Sequence, residues 1–319
     1  MTDPCTARAQ AGSALLAELR EGLGRPQKEL SPKFFYDVRG SLLFEQITQL
    51  PEYYLTRTER ALLERWMPEW ITAAAPATLV ELGAGAAVKT RIILNAMQAA
   101  GSGRAYVPVD VSASFLREIA DGLRADYPAL AVHPVAADMA EPFALPTGLP
   151  QPVLHAFLGS TIGNFADDDA VRLLSAVRRR MGTGDRFLMG VDQRKEVARI
   201  EAAYNDAQGV TAQFNRNMLR VLNHETGADF DVDAFRHHAF YNRDKQRIEM
   251  HLVADAPQVV TIPGIGCVRI EAGESIRTEV SCKHDRASVD ALFAAAGLAV
   301  ERWETDADGL YAIVLGAPA

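Results

Sequence analysis

Leu79-Val80-Glu81-Leu82-Gly83-Ala84-Gly85-Ala86-Ala87-Val88-Lys89-Thr90 is the stretch whose reading decides the fold. An apolar run from Thr78 to Leu82 ends in small residues, and a helical pattern follows from Lys89 to Ala100. The spacing predicts strand, tight glycine turn, helix: the first unit of a doubly wound sheet, whose ligands sit at the carboxyl ends of the strands. Glycine suits the turn because the backbone must bend sharply and admit a ligand with no Cβ in the way. The first N–H groups of the following helix would point at the same ligand.

Two chemistries share this architecture. A dinucleotide fingerprint, G-x-G-x-x-G/A, keeps its third position small so that helix and strand pack beside the pyrophosphate. Here that position is Val88, and Glu81 lies two residues before the first glycine. A carboxylate repels a pyrophosphate but not a cationic, phosphate-free ligand such as S-adenosylmethionine. E-x-G-x-G resembles the first motif of class I methyltransferases. A glycine pattern alone is weak, so the rest of the chain has to decide.

At 319 residues the chain can hold one large domain or two ordinary ones. Its composition, 48% hydrophobic and 23% charged, is that of a globular protein rather than a disordered or fibrous one. A net charge of -8 with no basic patch argues against a nucleic-acid surface. The short run Arg178-Arg179-Arg180 closes a helix, where positive charge complements the dipole. Cys5, Cys267 and Cys282 are odd in number, widely spaced and without C-x-x-C spacing. A reducing compartment, no disulfide framework and no metal are expected from that. No signal pattern opens the chain, and no apolar run approaches the roughly 18 residues of a membrane helix. Cytoplasmic residence, no membrane partner and a monomer are the expectations.

Taken in order, residues 1 to about 12 read as a loose tail and Leu15, Leu16 and Leu19 as a short helix ending near Gly22-Leu23-Gly24. Ser31 to Gly40 is aromatic-rich and turn-like, and Leu43, Phe44, Ile47 and Leu50 make a helical face. Thr56-Arg57-Thr58-Glu59 has the form of a capping box opening the next helix. The aromatics around these breakers are either core or the lining of a pocket. From residue 78 strands and helices alternate: strands at Ala105–Val109, Leu130–Ala136, Val153–Leu158 and Arg186–Val191 end in Asp110, Asp138, Asn164 and Val191, respectively or close by. Ser112 is the N-cap expected after Asp110, and Asp167-Asp168-Asp169 starts a helix that the arginine run closes. This implies a mainly parallel sheet.

After about residue 195 the alternation fails. Residues 197–224 look helical, 236–283 read as β-segments, and a helix from Ser288 to Ala296 precedes two short strands, Ala299–Trp303 and Leu310–Leu315. Such a closing hairpin is what class I methyltransferase sheets carry. The expected fold is therefore α/β: a Rossmann-like, doubly wound class I methyltransferase sheet with a second α+β domain. Residues 60–195 plus 285–319 would bind S-adenosylmethionine, and 12–59 plus 196–284, the N-terminal segment and a late insertion, would bind substrate.

The strand ends offer Glu81 and Gly83, Asp110, Asp138 and Asn164. Asp110, about 25 residues past Gly85, is placed either to accept two ribose hydroxyls or to serve as a turn aspartate. Asp138 could accept from an adenine amino group or be a loop acid. On a strand, Arg277, Glu279 and Ser281 share one face, as do Ile248, Met250 and Leu252 on theirs. That set would suit a small heteroaromatic ring. Read from the residues alone, an Arg277–Glu279 surface pair beside an ordinary core methionine is preferred.

Four longer motifs change the balance. They are Pro32-Lys33-Phe34-Phe35-Tyr36-Asp37-x-x-Gly40-Ser41-x-Leu43-Phe44, Pro51-Glu52-Tyr53-Tyr54-x-Thr56-Arg57-Thr58-Glu59, Gly159-Ser160-Thr161-Ile162-Gly163-Asn164 and Arg277-Thr278-Glu279-Val280-Ser281. Together they resemble the L-histidine Nα-methyltransferase family of ergothioneine biosynthesis, from about residue 15 to the C-terminus. The resemblance implies S-adenosylmethionine as donor and three methylations of the α-amine of L-histidine, giving hercynine. It implies donor binding by Tyr36, Gly83, Lys89, Asp110, Asp138 and Met139. It implies histidine binding by Tyr53 (rather than Tyr54), Asn164, Tyr204, Glu279 and Ser281, with Phe44 and Met250 lining the pocket. Asn164 and Tyr204 can hydrogen-bond a carboxylate, and Glu279 and Ser281 can satisfy two imidazole nitrogens.

Methyl transfer from a sulfonium is an in-line displacement that needs alignment more than an acid. An amine of ordinary pKa, about 8, supplies its own neutral fraction at cell pH. No dedicated base is assigned; Tyr36 and Asn164 are the residues expected at the reacting amine. Two rivals are weighed. One is a same-fold enzyme acting on another amino acid such as tryptophan, against which Glu279 and Met250 argue. The other is a non-catalytic binding protein, against which the paired donor and substrate motifs argue.

Overall fold

A computed structural model describes residues 4–319, with the side chains of residues 4–11, 114 and 115 outside that description. The chain divides into two compact units: residues up to Tyr54 with Glu196–Val280, and Leu55–Lys195 with Ser281–Ala319.

The second unit is built on an eight-stranded sheet. Its order is Leu298–Thr305, Tyr311–Pro318, Arg186–Asp192, Val153–Phe157, Thr78–Leu82, Ala105–Asp110 and Ala131–Val132, with Val135–Ala136 also paired to Ala105–Asp110. Neighbours from Arg186–Asp192 to Ala131–Val132 run parallel, and the last two strands of the chain add an antiparallel edge. All five residues of Thr78–Leu82 are buried, as expected of a central parallel strand covered on both faces. Helices Thr90–Ala99, Ala113–Asp126 and Asp167–Arg178 intervene between strands, the last opening on three aspartates and closing on Arg178 as its dipole prefers.

Two readings need correction here. The strand expected over 130–136 is two dipeptide strands at the sheet edge, Ala131–Val132 and Val135–Ala136, both paired to Ala105–Asp110; between them the His133 N–H still donates to the Tyr106 carbonyl at 2.9 Å. The helix expected at Ser288 begins at Arg286. Asp285 is its N-cap and Ser288 its N3 partner in a capping box.

In the first unit a four-stranded sheet runs Lys28–Glu29, Ser275–Cys282, Arg247–Ala254, Phe235–Asn242; the end of Ser275–Cys282 continues into the other unit. A hairpin, Gln258–Ile262 with Gly266–Ile270, stands apart. The N-terminal tail expected over residues 1–12 is helical from Pro4 to Gly24, while residues 1–3 lie outside the described residues. Alanines at 7, 9 and 11 favour helix. Leu19 and Leu23 bury its later turns, and Arg20 donates to the Gly264 carbonyl at 2.7 Å. The helix expected over 197–224 is two, Val197–Tyr204 and Val210–Thr226. Between them the Asp206 carboxylate accepts from the Val210 and Thr211 N–H groups, both at 2.8 Å, and Gly209 takes φ +71°. Among the described residues no helix is long and apolar enough to cross a membrane.

Candidate functional site

In the second unit the glycine turn is left-handed at both ends, with φ +65° at Gly83 and +49° at Gly85. A side chain is strained at either position. A Cβ at Gly85 would meet open space, so backbone geometry rather than crowding calls for glycine there. A Cβ at Gly83 would come within 3.1 Å of the Met139 methyl, which brings together two of the expected donor residues. Asp110 joins them: one carboxylate oxygen accepts from the Gly85 N–H at 3.2 Å and the other from the Ser112 N–H at 3.2 Å. Each oxygen keeps a lone pair for a ligand hydroxyl. Asp138 accepts from the Ala140 N–H at 2.9 Å through one oxygen.

Glu81 departs from its sequence reading. It is buried, and its carboxylate accepts from the Thr90 hydroxyl at 2.6 Å and the Tyr106 hydroxyl at 2.7 Å. Burial pushes its pKa up to about 7, against the opposing pull of those two donors. It fastens strand to helix behind the turn.

Glu59 departs further. Rather than closing a capping box, it sits fully buried in the helix Leu55–Ala74. One oxygen accepts from the Gly159 N–H at 2.8 Å and the Tyr311 hydroxyl at 2.7 Å; the other pairs with the Lys89 ammonium. Gly190 makes the room, since a Cβ there would lie 1.9 Å from Glu59. Lys89 therefore approaches the turn with its charge already partnered.

After the strand Val153–Phe157 the chain turns through Gly159 at φ +78° and Ser160 at φ +56°, then through a 3-10 turn, Thr161–Asn164. A non-glycine residue with positive φ marks a conformation held by its surroundings. Here the Ser160 hydroxyl accepts from the Asp192 N–H at 2.9 Å. Among the described residues none hydrogen-bonds the Asn164 amide, which is partly exposed. Gly163 lies against the backbone of Cys282, where a Cβ would come within 2.7 Å of the carbonyl oxygen, so Asn164 and Ser281 flank one contact. Ser281 is buried and accepts from the Lys283 ammonium at 2.9 Å. Lys283 is ion-paired to Asp192 at 2.8 Å, and Lys195 pairs with the other Asp192 oxygen. Burial lowers the Lys195 pKa to about 8.

In the first unit four expected residues form one chain of rings. Tyr36 meets Phe44 edge-on at 5.9 Å, Phe44 meets Tyr53 at 6.3 Å, and Tyr53 meets Tyr204 at 6.4 Å. Tyr53, not Tyr54, supplies the ring that links Phe44 to Tyr204. Phe214, which the sequence reading missed, anchors the chain. It stacks on Phe35 at 4.5 Å and touches Tyr36 at 5.8 Å and Phe44 at 5.9 Å. Asp37 holds the approach: it accepts from the Gly40 N–H at 2.6 Å, capping the helix Val38–Gln49, and from Asn217 at 2.8 Å. Gly40 is required because a Cβ would fall 1.7 Å from the Phe35 carbonyl oxygen.

Met250 and Glu279 stand on neighbouring strands of this unit, Met250 buried and Glu279 partly exposed. The Thr278 hydroxyl donates its one proton to the Asn215 side-chain oxygen at 2.7 Å, with the Met250 carbonyl 3.1 Å away sharing it. Asn215 donates to His237 Nδ1 at 2.9 Å, and His237 Nε2 donates to the Tyr204 carbonyl at 2.8 Å. Burial holds the His237 pKa below its ordinary value, which suits the neutral, Nε2-protonated ring this relay requires. The relay ties Tyr204 to the strand that carries Glu279. Arg277 pairs with Glu29 at 2.6 Å and lies 3.8 Å from Glu249.

A family model described as histidine-specific, S-adenosylmethionine-dependent methyltransferase matches residues 15–318. A histidine N-alpha-methyltransferase of Mycobacterium tuberculosis is 45% identical over 306 residues, 95% of each chain. Ergothioneine biosynthesis protein 1 of Neurospora crassa is 29% identical over 298 residues, covering 86% of this chain and 32% of that longer one. Among solved structures, an S-adenosylmethionine-dependent methyltransferase of Clostridium acetobutylicum superposes with TM-score 0.50 at 11% identity, covering 86% of this chain and 98% of that one. That likeness is one of fold.

Proposed function

Because the chain belongs to the family of histidine-specific, S-adenosylmethionine-dependent methyltransferases, we propose that it methylates the α-amine of L-histidine three times, yielding hercynine for ergothioneine biosynthesis. The match along nearly the whole chain to a histidine N-alpha-methyltransferase carries this reading.

The glycine turn fits the donor. Its open Gly85 position, the two accepting oxygens of Asp110 and the nearby Met139 make a cradle for a ribose and a nonpolar flank. When bound, S-adenosylmethionine supplies an electrophilic methyl on a sulfonium. Gly83, Lys89, Asp110, Asp138, Met139 and Tyr36 would hold it. Asn164 and Tyr204 would receive the amino-acid carboxylate, while Phe44, Tyr53 and Met250 would enclose the side chain. Glu279 would accept from the imidazole N–H, and Ser281 would meet the other ring nitrogen. The chain's contribution to rate is alignment and exclusion of water around a neutral amine, with Tyr36 and Asn164 beside it.

Mass spectrometry of histidine incubated with the protein and S-adenosylmethionine tests the reading. Three added methyl groups, all on the α-nitrogen, are expected. Methylation of an imidazole nitrogen, or arrest at one methyl with donor in excess, would overturn it.

A further inference from the structure

We propose that a cavity at the amino-terminal end of the central strands is a second ligand site, built for a small aromatic carboxylate whose ring carries a hydroxyl. Every residue that lines it belongs to the unit carrying the glycine turn.

The segment joining Val135–Ala136 to Val153–Phe157 crosses the sheet face without forming a helix. Its Phe143, Leu145 and Leu149 pack against the buried core of that face. Beside them lies a cavity of about 500 Å³, walled by Val80, Phe143, Leu145, Val153, His155 and Arg180. Val153 opens its strand and the turn at Gly159 follows that strand's other end, so the cavity lies away from the carboxyl edge that carries the glycine turn. His155 shares a strand face with Val153 and with its register partner Val80, so its ring projects toward the cavity. It is 3% exposed, and its Nε2 has no hydrogen-bond partner among the described residues. A buried polar atom left unpartnered destabilises the fold and calls for a reason.

The charges define the ligand. Arg180 is partly buried and has no carboxylate partner among the described residues; the charge acting on it is that of Arg179, of the same sign. Its guanidinium lies 4.3 Å from the centre of the Phe143 ring and donates to the Phe143 carbonyl at 2.7 Å. That leaves N–H donors in the fork for a carboxylate. Asp185 does not compete for it, because its two oxygens accept from the Val153 and Gly182 N–H groups at 2.7 and 2.8 Å. Burial holds His155 neutral, lowering its pKa to about 4, with Asp185 opposing and Arg180 assisting. A hydroxyl both donates and accepts, so it can meet Nε2 in either tautomer of the neutral ring. The apolar wall takes the body of the ligand.

The test titrates 4-hydroxybenzoate into the full chain at neutral pH, followed by saturation-transfer NMR. Saturable binding is expected that saturating S-adenosylhomocysteine and L-histidine do not displace, which separates this cavity from the methyl-transfer ligands. Benzoate, which lacks the hydroxyl, and 4-hydroxybenzamide, which lacks the charge, should each bind about tenfold more weakly. Arg180→Gln keeps a donor for the Phe143 carbonyl and removes the charge. It should weaken 4-hydroxybenzoate about tenfold and leave 4-hydroxybenzamide unchanged. His155→Leu should erase the preference for 4-hydroxybenzoate over benzoate while raising the melting temperature, because an unpartnered polar atom leaves an apolar wall. No saturable binding below about 10 mM, displacement by either methyl-transfer ligand, or wild-type affinity in Arg180→Gln would overturn the proposal. A lower melting temperature in His155→Leu would assign the imidazole to the fold and overturn it too. Should Arg180→Gln weaken both probes equally, Arg180→Lys decides: a regained preference for the charged probe supports the site, and none rules it out.

Discussion

The unit containing the ring chain and the unit containing the glycine turn differ in what surrounds their expected site residues. In the first, Tyr36, Phe44, Tyr53 and Tyr204 meet other rings, with Phe214 behind them, and a neutral relay through Asn215 and His237 reaches the Tyr204 carbonyl. In the second, Glu59, Glu81 and Asp192 are buried carboxylates, each tied to two or more donors. Ring contacts are individually weak and replaceable, each worth about 0.5–1.5 kcal/mol beyond area. Buried charge networks are costly when incomplete, because each lost partner strands another group away from water. The first arrangement should therefore degrade gradually under substitution and the second abruptly. That contrast is measurable.

The largest effect is expected from Glu59→Ala. It leaves the Lys89 ammonium, the Tyr311 hydroxyl and the Gly159 N–H without their shared acceptor. Breaking a buried pair from one side costs about 3–5 kcal/mol, and the partial exposure of Lys89 places this one near the lower end. Denaturant unfolding of the variant checks it. A loss under about 1 kcal/mol would mean that the network tolerates a gap, and the contrast between the units would fail.

The next effect depends on pH. Burial raises the Glu81 pKa to about 7 from its ordinary 4.5, so between those values the folded protein holds a proton that the unfolded chain has released. The stability this contributes is full below about pH 4.5 and is lost as pH rises through about 7. Glu81→Gln keeps an oxygen for Thr90 and Tyr106 and has no proton to lose. Its melting temperature relative to wild type should therefore climb between pH 5 and 8, corresponding to at most about 3 kcal/mol. A difference that stays flat over that range would show Glu81 to be an ordinary carboxylate.

Why the sequence disclosed one unit better than the other follows from the same contrast. The glycine turn and the alternation around it are local signals: the residues that make the turn are neighbours in the chain, and Asp110, at the end of the next strand, accepts from the Gly85 N–H. Glu59 looks local too, because Thr56-x-x-Glu59 has the form of a cap. Its partners are 30, 100 and 252 residues away, and no pattern near Glu59 encodes them. Lys283 follows Cys282 with nothing to mark it, and its meaning comes from Asp192 on another strand. In the ring unit the motifs around Tyr36, Phe44 and Tyr53 were visible as aromatic clusters. Phe214 was hidden within an ordinary helical stretch. The place of residues 131–136 at the sheet edge was legible in principle, since a proline within a strand pattern points to an edge strand.

The smallest effect is the one that separates ring geometry from mere volume. Phe214→Leu keeps an apolar side chain in a buried position, so most of the area term survives. What it removes is the face stacked on Phe35 and the edges met by Tyr36 and Phe44. If the unit relies on ring-on-ring geometry, stability should fall by about 1 kcal/mol and the histidine KM should rise a few-fold. The KM change follows because Phe44, proposed to enclose the substrate, leans on Phe214. Both changes should be far smaller than those of Glu59→Ala, in keeping with a cluster in which Tyr53 and Tyr204 still brace one another. Unfolding and steady-state kinetics on the same preparation give the two numbers. Unchanged stability with unchanged KM would mean that filled volume alone holds the cluster. A loss as large as that of Glu59→Ala would mean that the rings are as interdependent as the charges.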